Sequence, residues 1–371
     1  MVEVDAVRSV VGEVEDPEIR QSLETLGMLA ALEVSEGGEV RVLVSLAVGD
    51  GASQDRLTAE ITTAAQTVEG VTAVRVEYQA MTDAERGALV AKVRGTAGVN
   101  GSNSAEISFG QPGNKTRIIT ISSGKGGVGK SSVTVNLAVA LTKLGRRVGI
   151  IDADVWGFSI PKMLGVDRTP NVVDDLLLPP QAYGVPVMSM DYFVPDDQAV
   201  IWRGPMLHKA MEQFLVDVVW GDLDYLLIDL PPGTGDISIS LSQFLPRAQS
   251  ILVTTPQVTA QRVAKRAGLM ANKVDQEIVG VVENMSWFTG NDGERYEIFG
   301  SGGGAALAEE MDIPLLAQIP LVPAMRVGAD EGKPVIIADP DGEAAAAFAA
   351  LAEAVEARRP RVRSHPELVI L

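Results

Sequence analysis

One eight-residue segment constrains the fold of this chain more than any other feature. Residues 124–131 read Gly-Lys-Gly-Gly-Val-Gly-Lys-Ser and match the pattern G-x-x-x-x-G-K-[ST] in full. The match follows an apolar segment with the character of a strand, 117–121, and precedes a segment with the character of a helix. In this context the glycines let backbone N–H groups close around phosphates, and the helix adds its positive N-terminus. The segment therefore predicts a phosphate-binding loop between a strand and a helix.

The polar side chains of this segment have distinct predicted tasks. The amine of Lys130 reaches the outer phosphates, and the hydroxyl of Ser131 supplies an oxygen ligand to Mg²⁺. The predicted nucleotide-binding residues of the loop are Gly124, Lys125, Gly126, Gly127, Val128, Gly129, Lys130, Ser131 and Ser132. The sequence therefore predicts binding of a nucleoside triphosphate with its magnesium ion.

Three aspartates come at the ends of two apolar segments that read as strands. Asp152 and Asp154 follow residues 147–151, and Asp229 follows residues 225–228. Ligands of open α/β sheets bind at the carboxyl ends of the strands, which is where these acids would lie. Asp154 is the candidate for orienting the attacking water or holding Mg²⁺ through water, and Asp152 for holding Mg²⁺ or the loop. Asp229 is the candidate Walker B acid, whose buried charge a metal-bound water would compensate.

Two segments of the sequence bear on which base the site would read. The segment Asn272-Lys273-Val274-Asp275 spells the guanine-reading pattern N-K-x-D, but it precedes the strand 278–282 and so falls on the wrong edge of the sheet. We interpret it as a chance match. Asn284 lies just beyond the carboxyl end of that strand, where its amide could meet a purine edge, and backbone groups around 320–323 could complete the pocket. The predicted base is adenine, and the predicted nucleotide is ATP.

Apolar segments that alternate with helices predict the larger fold. The predicted strands are residues 117–121, 147–151, 225–230, 250–254, 278–282 and 315–319. Continuous apolar strands separated by helices indicate an α/β fold with a mostly parallel sheet covered on both faces. An alanine-rich stretch, 342–357, is the predicted closing helix.

Residues 1–95 are predicted to form a small α+β domain. Asp16, followed by Pro17 and Glu18, predicts the start of a helix that runs to about Leu26. The domain is completed by a hairpin of 29–34 and 40–48, a third strand at 71–78 and a helix that a capping box of Thr82 and Glu85 introduces. The predicted division is a domain at 1–95, a flexible linker at 96–114, a nucleotide-binding domain at 115–358 and a tail at 359–371.

Composition excludes several classes of function. The formal net charge of -18 repels phosphate backbones, so no nucleic-acid partner is expected. Residues 1–16 lack the regions of a secretory signal, and no apolar run approaches the roughly 18 residues that span a bilayer. We therefore expect a cytoplasmic protein with no membrane partner. The chain has no cysteine, which excludes disulfides and thiolate ligands.

These motifs resemble those of the Mrp (ApbC-like) family of bacterial ATP-binding iron-sulfur cluster carriers, over nearly the full length of the chain. The segments that carry the resemblance are 124–131, 152–161, 202–206, 229–236, 282–285 and 299–300. Residues 16–19 and 26–28 resemble the small iron-sulfur-assembly domain that is often fused ahead of such ATPases. The resemblance implies a P-loop NTPase fold of the deviant Walker A type, like that of MinD and NifH, and it implies ATP hydrolysis.

The resemblance also implies a role for Lys125, which marks the deviant Walker A loop. In similar proteins this lysine crosses a dimer interface to the phosphates of the partner's nucleotide, much as an arginine finger does. The implied assembly is a homodimer with Lys125 and Asp154 as catalytic residues, and the implied partners are iron-sulfur assembly proteins or client apoproteins. Residues 231–236 resemble a switch loop that responds to the γ-phosphate. Residues 202–206 form either a partner surface or a structural element.

The cluster ligands of the family are absent from this chain. Family members carry C-x-x-C after the N-M-S segment, and here Gly290 and Gly293 stand at those positions. Iron-sulfur clusters depend on thiolates, with histidine as an occasional substitute. The two histidines are His208, in a helical stretch, and His365, in the tail. No iron-sulfur ligand is therefore predicted, and a partner would have to supply the thiols.

Two other interpretations of the same motifs stay open. Partitioning and cell-division ATPases with this loop act as MinD- or ParA-like nucleotide switches, and the basic and apolar tail has a little of the character of a membrane anchor. Pro360 and Pro366 oppose a continuous amphipathic helix there. The third interpretation is a non-catalytic nucleotide-binding scaffold whose N-terminal domain recruits a client.

Overall fold

The chain is described by a computed structural model that covers residues 2–49, 51–96, 107–111, 113–194, 204–233 and 236–358. It forms two compact units. The first unit comprises Met1–Ser108, Thr169–Pro180 and Leu215–Gly221, and the second comprises Phe109–Arg168, Gln181–Phe214 and Asp222–Leu371. The first unit thus takes in two segments that the predicted boundaries assign to the nucleotide-binding domain. Most of the predicted linker, 97–106 and 112, and the predicted tail, 359–371, lie outside the described residues.

The elements are numbered in chain order. The strands are β1 (Leu29–Val34), β2 (Glu39–Leu46), β3 (Ala73–Ala80), β4 (Arg117–Ser123), β5 (Val148–Asp152), β6 (Asn171–Val173), β7 (Leu176–Leu178), β8 (Gln181–Ala182), β9 (Val185–Ser189), β10 (Tyr225–Asp229), β11 (Gln249–Thr254), β12 (Glu277–Glu283), β13 (Phe288–Thr289), β14 (Arg295–Tyr296) and β15 (Leu315–Gln318). The α-helices are α1 (Val4–Gly12), α2 (Leu23–Leu26), α3 (Gly51–Ala65), α4 (Asp83–Thr96), α5 (Lys130–Lys143), α6 (Ile160–Met163), α7 (Gly204–Val216), α8 (Asp236–Phe244), α9 (Val258–Lys273), α10 (Gly303–Glu310), α11 (Pro323–Glu331), α12 (Val335–Ala338) and α13 (Glu343–Ala357). Short 3-10 helices lie at Ser108–Gly110 and Met190–Phe193.

The first unit is built on a three-stranded sheet in the order β1-β2-β3. β1 and β2 form the predicted antiparallel hairpin, and β3 pairs with β2 in parallel. Alternate residues of β2, namely Val40, Val42 and Val44, are buried, as expected of a strand with one face on a core. α4 begins with the predicted capping box, because Thr82 and Glu85 exchange hydrogen bonds.

The predicted helix from Asp16 to Leu26 is wrong. The carboxylate of Asp16 accepts the backbone N–H groups of Glu18 and Ile19 and closes a turn instead. Arg20 then has a φ of 60°, in the left-handed region, which ends any helical run. Helix formation is limited to α2, which starts at Leu23. α1 and α3 were not predicted at all.

The second unit is built on an eight-stranded sheet in the order β15-β12-β11-β4-β10-β5-β9-β8. All six predicted strands are present, and each pairs in parallel with its neighbours. β9 extends this parallel sheet, and β8 pairs with β9 in the antiparallel sense. The predicted closing helix is α13. The fold is therefore the predicted α/β class with a mostly parallel sheet.

Helices cover both faces of this sheet. α5 and α13 supply Leu137, Leu141 and Phe348 to the core on one face, and Ala264 of α9 with Leu307 of α10 lies in a separate core on the other. Complete burial of a side chain such as Phe348 contributes about 1.5–3 kcal/mol. None of the described helices combines the length and apolar character that crossing a bilayer requires.

The sheet order sets where the site lies. β4 is central, with β10 on one side and β11 on the other. Asp229 pairs in register with Ile121 of β4 and with Asp152 of β5. Because these strands are parallel, the glycine-rich loop after β4 and the acids of β5 and β10 emerge at one edge.

Candidate functional site

The glycine-rich loop connects Ser123 of β4 to Lys130 of α5, as predicted. A Cβ on Gly124 would lie 2.1 Å from the carbonyl carbon of Val263 in α9, so the loop can approach that helix only with glycine here. Gly129 has a φ of 79°, and a Cβ there would lie 2.2 Å from Nδ2 of Asn284. The geometry of the loop therefore requires glycine at both positions.

Asp229 is the centre of the site. Its Oδ2 accepts hydrogen bonds from Lys130 Nζ at 2.5 Å and from Ser131 Oγ at 2.7 Å. The side chains of Lys130 and Asp229 are 6% and 0% exposed, so each charge depends on the other for compensation. The structure thus brings together three of the site residues that were predicted from the sequence.

Thr134 also contacts Asp229, and the sequence analysis missed it. Its Oγ1 donates to Oδ1 of Asp229 at 2.6 Å, and the threonine is fully buried. Thr134 lies four residues after Lys130 on α5, which places both side chains on one face of the helix. That spacing of four residues is the sequence feature that could have predicted Thr134 as a residue of the site.

Asp152 holds the loop that follows β5. Its Oδ2 accepts from the backbone N–H groups of Ser159 and Ile160, at 3.1 and 3.2 Å, and from the hydroxyl of Ser189 at 3.2 Å. Burial, and then the nearby negative charge of Asp229, raise the pKa of Asp152 to about 7. Of the two roles left open for Asp152, these contacts favour holding the loop.

Asp154 has one occupied and one open carboxylate oxygen. Oδ1 accepts from the backbone N–H groups of Trp156 and Gly157, at 3.2 and 3.1 Å. Among the described residues none donates to Oδ2, although the residue is only 7% exposed. The indole of Trp156 is 74% exposed beside it. The open oxygen is available to a water or a ligand.

Lys125 is held within its own chain. Its Nζ donates to Oε1 of Gln257 at 3.1 Å, and Gln257 immediately precedes α9. The same helix contacts Gly124 through Val263. α9 therefore determines where the amine of Lys125 lies, a relationship that the sequence analysis did not predict.

Asn284 lies against the loop and leaves one oxygen unused. Its Nδ2 donates to the carbonyl oxygen of Val128 at 2.9 Å, and the residue is 2% exposed. Within the described part of the chain, Oδ1 of Asn284 and Oγ1 of Thr255 are buried without hydrogen-bond partners. These residues follow the paired strands β12 and β11, at the edge where the loop lies. Buried polar atoms without partners are costly, so the pair indicates a polar ligand. Thr255 was not predicted.

The N-K-x-D segment is confirmed to lie on the other edge of the sheet. Asn272 and Lys273 end α9, and Asp275 precedes the start of β12. The segment therefore reaches the amino end of a strand whose carboxyl end is followed by Asn284.

Gly290 and Gly293 lie in the tight turn between β13 and β14. A Cβ on Gly290 would lie 2.6 Å from Oδ1 of Asp292, and Gly293 has a φ of 80°. Asp292 accepts from the backbone N–H of Glu294 and from the hydroxyl of Tyr296, and the hydroxyl lowers the pKa of Asp292. The polar groups of the turn thus form hydrogen bonds with one another.

The donor set does not fit an iron-sulfur cluster. The chain has no cysteine. Across the described ranges, no group of three or more His, Asp or Glu side chains could hold a metal ion. His208 packs on the ring of Phe244, with centroids 4.4 Å apart. His365, Trp202, Arg203, Thr234 and Gly235 lie outside the described residues.

A glycine-rich loop between a central strand and a helix, with its lysine and serine on the acid of a neighbouring parallel strand, defines a P-loop nucleotide-binding protein. The family model described as NUBPL iron-transfer P-loop NTPase matches residues 114–356, and the chain belongs to this family. A second model, described as iron-sulfur cluster assembly protein, matches residues 4–77.

Relatives and solved structures agree with this assignment. The chain is 44% identical over 360 residues to the iron-sulfur cluster carrier protein of Mycobacterium tuberculosis, covering 95% of this chain and 93% of the relative. It is 41% identical to the iron-sulfur cluster carrier protein of Bacillus subtilis, covering 86% and 89%. A nucleotide-binding protein from Archaeoglobus fulgidus, solved with ADP, superposes with a TM-score of 0.54 at 36% identity, covering 62% of this chain and 91% of that one. The cell division ATPase MinD of Pyrococcus furiosus gives a TM-score of 0.51 at 30% identity, covering 65% and 98%.

Proposed function

We propose that this chain binds and hydrolyses ATP with Mg²⁺, and that the ATPase cycle serves the assembly or delivery of iron-sulfur clusters. The observation that carries the proposal is the convergence of Lys130 and Ser131 on Asp229 at the end of a complete phosphate-binding loop. The resemblance to iron-sulfur cluster carrier proteins over 95% of the chain supports the biological setting. Its location in the cytoplasm stays a prediction from the sequence.

The unused polar atoms support adenine as the base. Nδ2 of Asn284 donates one of its two hydrogens to the carbonyl oxygen of Val128, and Oδ1 is buried without a partner among the described residues, so Oδ1 is the acceptor that would meet the base. Adenine presents a 6-amino donor at the edge where guanine presents a 6-oxo acceptor. Two acceptors facing each other in a buried site would leave both unpaired, which disfavours guanine.

The proposed oxygen ligands for Mg²⁺ are those of Ser131 and Asp229, which lie 2.7 Å apart. Ser131 and Asp229 would hold the ion, partly through water, because hydroxyl and carboxylate oxygens are its preferred ligands. When bound, Mg²⁺ supplies charge neutralisation on the phosphates. Asp152 supports this arrangement through the loop that it holds, and direct contact with the ion stays the alternative for this residue.

The proposed hydrolytic residues are Asp154 and Lys125. The open Oδ2 of Asp154 would orient the attacking water. Lys125 would leave Gln257 and stabilise the developing phosphate charge on the nucleotide of a second copy of the chain. The proposed active assembly is therefore a homodimer.

Iron-sulfur clusters enter this proposal as cargo that the chain does not itself ligate. No thiolate exists in the sequence, and the turn at Gly290 and Gly293 is closed by its own residues. We infer that partner proteins, either assembly factors or client apoproteins, supply the thiols. The ATP-dependent step would then change how this chain holds those partners.

Phosphate release from the purified chain tests the proposal. Wild type should release phosphate from ATP faster than from GTP, and Lys130→Ala should lose most of that rate because it removes the phosphate contact. Lys273→Ala, an exposed lysine of the N-K-x-D segment, is the matched control and should behave as wild type. Thermal melting checks that each variant is folded. Equal rates for Lys130→Ala and wild type would contradict the proposal, and nucleotide binding without turnover would favour the scaffold.

A further inference from the structure

We infer that Thr134 is a positioning residue of the nucleotide site, which fixes the orientation of the Asp229 carboxylate so that its other oxygen faces the ligand. The inference rests on the proposed ATP hydrolysis and adds a residue that no motif of the loop includes. Thr134 contacts Oδ1 of Asp229, the carboxylate oxygen that Lys130 and Ser131 do not contact.

The contact itself is short and fully enclosed. Oγ1 of Thr134 lies 2.6 Å from Oδ1 of Asp229, and both residues are 0% exposed. Oγ1 also lies 3.1 Å from the carbonyl oxygen of Lys130, one turn earlier on α5. A hydroxyl has one proton to donate, and the nearer, charged acceptor takes it. The bond to the carboxylate is therefore the dominant one.

The two oxygens of Asp229 have different partners. Oδ2 accepts from Lys130 and Ser131, the side chains that the proposed function assigns to phosphate and Mg²⁺. Both must therefore change partners when the nucleotide binds and leaves. Thr134 is fully buried and contacts Oδ1, the oxygen that Lys130 and Ser131 do not contact. Among these three donors, only Thr134 has no other task in the cycle.

Because the two oxygens of Asp229 have different partners, Thr134 can hold the carboxylate in one orientation. The terminal torsion of an aspartate is broad, so a carboxylate is not fixed by its own rotamer preferences. The χ1 of threonine is restricted because the side chain is β-branched, so its hydroxyl is a stiff anchor on a packed helix. Without that anchor, Oδ1 would lose its partner and the carboxylate would rotate toward another donor. Oδ2 would then be misaligned for the magnesium ligand shell.

The test compares threonine with residues that lack or keep the hydroxyl. Thr134→Val keeps a similar shape without the hydroxyl, and Thr134→Ser keeps the hydroxyl. Thr142→Val is the matched control, because Thr142 lies on the same helix and its hydroxyl donates to the carbonyl oxygen of Ala138. Steady-state phosphate release is measured on the full chain against ATP and, separately, against Mg²⁺.

Thr134→Val should lower kcat about tenfold or more and raise the Mg²⁺ concentration needed for half-maximal rate, because a hydrogen bond to a charged group is lost. The KM for ATP should change less than about threefold, since the loop still binds the phosphates. Thr134→Ser should recover most of kcat, and Thr142→Val should match wild type.

Two outcomes would overturn the inference in distinguishable ways. If wild type hydrolyses ATP and Thr134→Val keeps its kcat and its Mg²⁺ dependence, Thr134 is merely structural while the proposed function stands. If wild type releases no phosphate, the proposed function and this inference fail together. Should Thr134→Val prove unfolded, Thr134→Ala and Thr134→Ser decide: equal kcat values for these two would refute the role of the hydroxyl.

Discussion

Nζ of Lys125 donates a hydrogen bond to Oε1 of Gln257 in the same chain, at 3.1 Å. The amine that the proposed mechanism places on a partner's nucleotide is thus paired in cis. Gln257 immediately precedes α9, and that helix packs directly on Gly124. Releasing Lys125 therefore depends on a contact at the start of a helix rather than on the loop alone.

Removing the amine of Lys125 should slow hydrolysis without preventing nucleotide binding. Lys125→Ala is expected to lower kcat about a hundredfold or more, by analogy with the loss of a cation supplied in trans. The rate per chain of wild type should rise with protein concentration as dimers form. Phosphate release over a concentration series measures both effects, with the exposed Lys115→Ala as control. A concentration-independent rate, or an undiminished kcat in Lys125→Ala, would refute a role in trans.

Gly129→Ala should abolish nucleotide binding. The new Cβ would lie 2.2 Å from Nδ2 of Asn284, at a residue whose φ of 79° disfavours any side chain. Both the loop and the proposed base contact would have to shift. Titration with a fluorescent ADP analogue measures the affinity. Gly87→Ala on α4, whose Cβ meets nothing within 4 Å, is the control and should bind as wild type. Retained affinity in Gly129→Ala would contradict the requirement for glycine at this position of the loop.

Asp16 should make the first unit less stable as the pH rises. Burial raises its pKa from 3.8 to about 6, so between these values the folded state binds more protons than the unfolded state. Stability from this group therefore falls as the pH rises from about 4 to about 6, by about 3 kcal/mol in all, and the penalty remains at pH 7. Asp16→Asn, which keeps an acceptor for Glu18 and Ile19, should remove most of the penalty.

Hydrogen exchange of the β2 amides, such as those of Val42 and Val44, measures this effect in the full chain. These amides should be more protected in Asp16→Asn than in wild type at pH 7, and about equally protected at pH 4. The exposed Asp55→Asn should change neither. Weaker protection of these amides in Asp16→Asn than in wild type at pH 7 would mean that the turn needs the charged carboxylate.

The sequence predicted the features that depend on neighbours along the chain. The glycine-rich pattern predicted a phosphate-binding loop at Gly124 to Ser131. Apolar runs predicted the six parallel strands that place Asp229 beside that loop. The sequence did not predict features that depend on distant elements, such as the hydrogen bond between Lys125 and Gln257 or the buried hydroxyl of Thr255, which has no partner among the described residues. The helix expected at Asp16 failed because a side-chain turn and the left-handed Arg20 override the local preference of Asp-Pro-Glu. β9 was not predicted, and its run at 185–189 contains a proline, a residue that is uncommon within sheets.

We propose that this chain combines an intact nucleotide site with a hairpin that holds no cluster of its own. Anaerobic reconstitution of the purified chain with iron and sulfide, followed by measurement of bound iron and visible absorbance per chain, tests it most directly. We expect no stoichiometric iron, with or without ATP and Mg²⁺, because the sequence contains no thiolate. A stoichiometric cluster with its visible absorbance band would refute this proposal, and would show that oxygen or nitrogen ligands of this chain suffice.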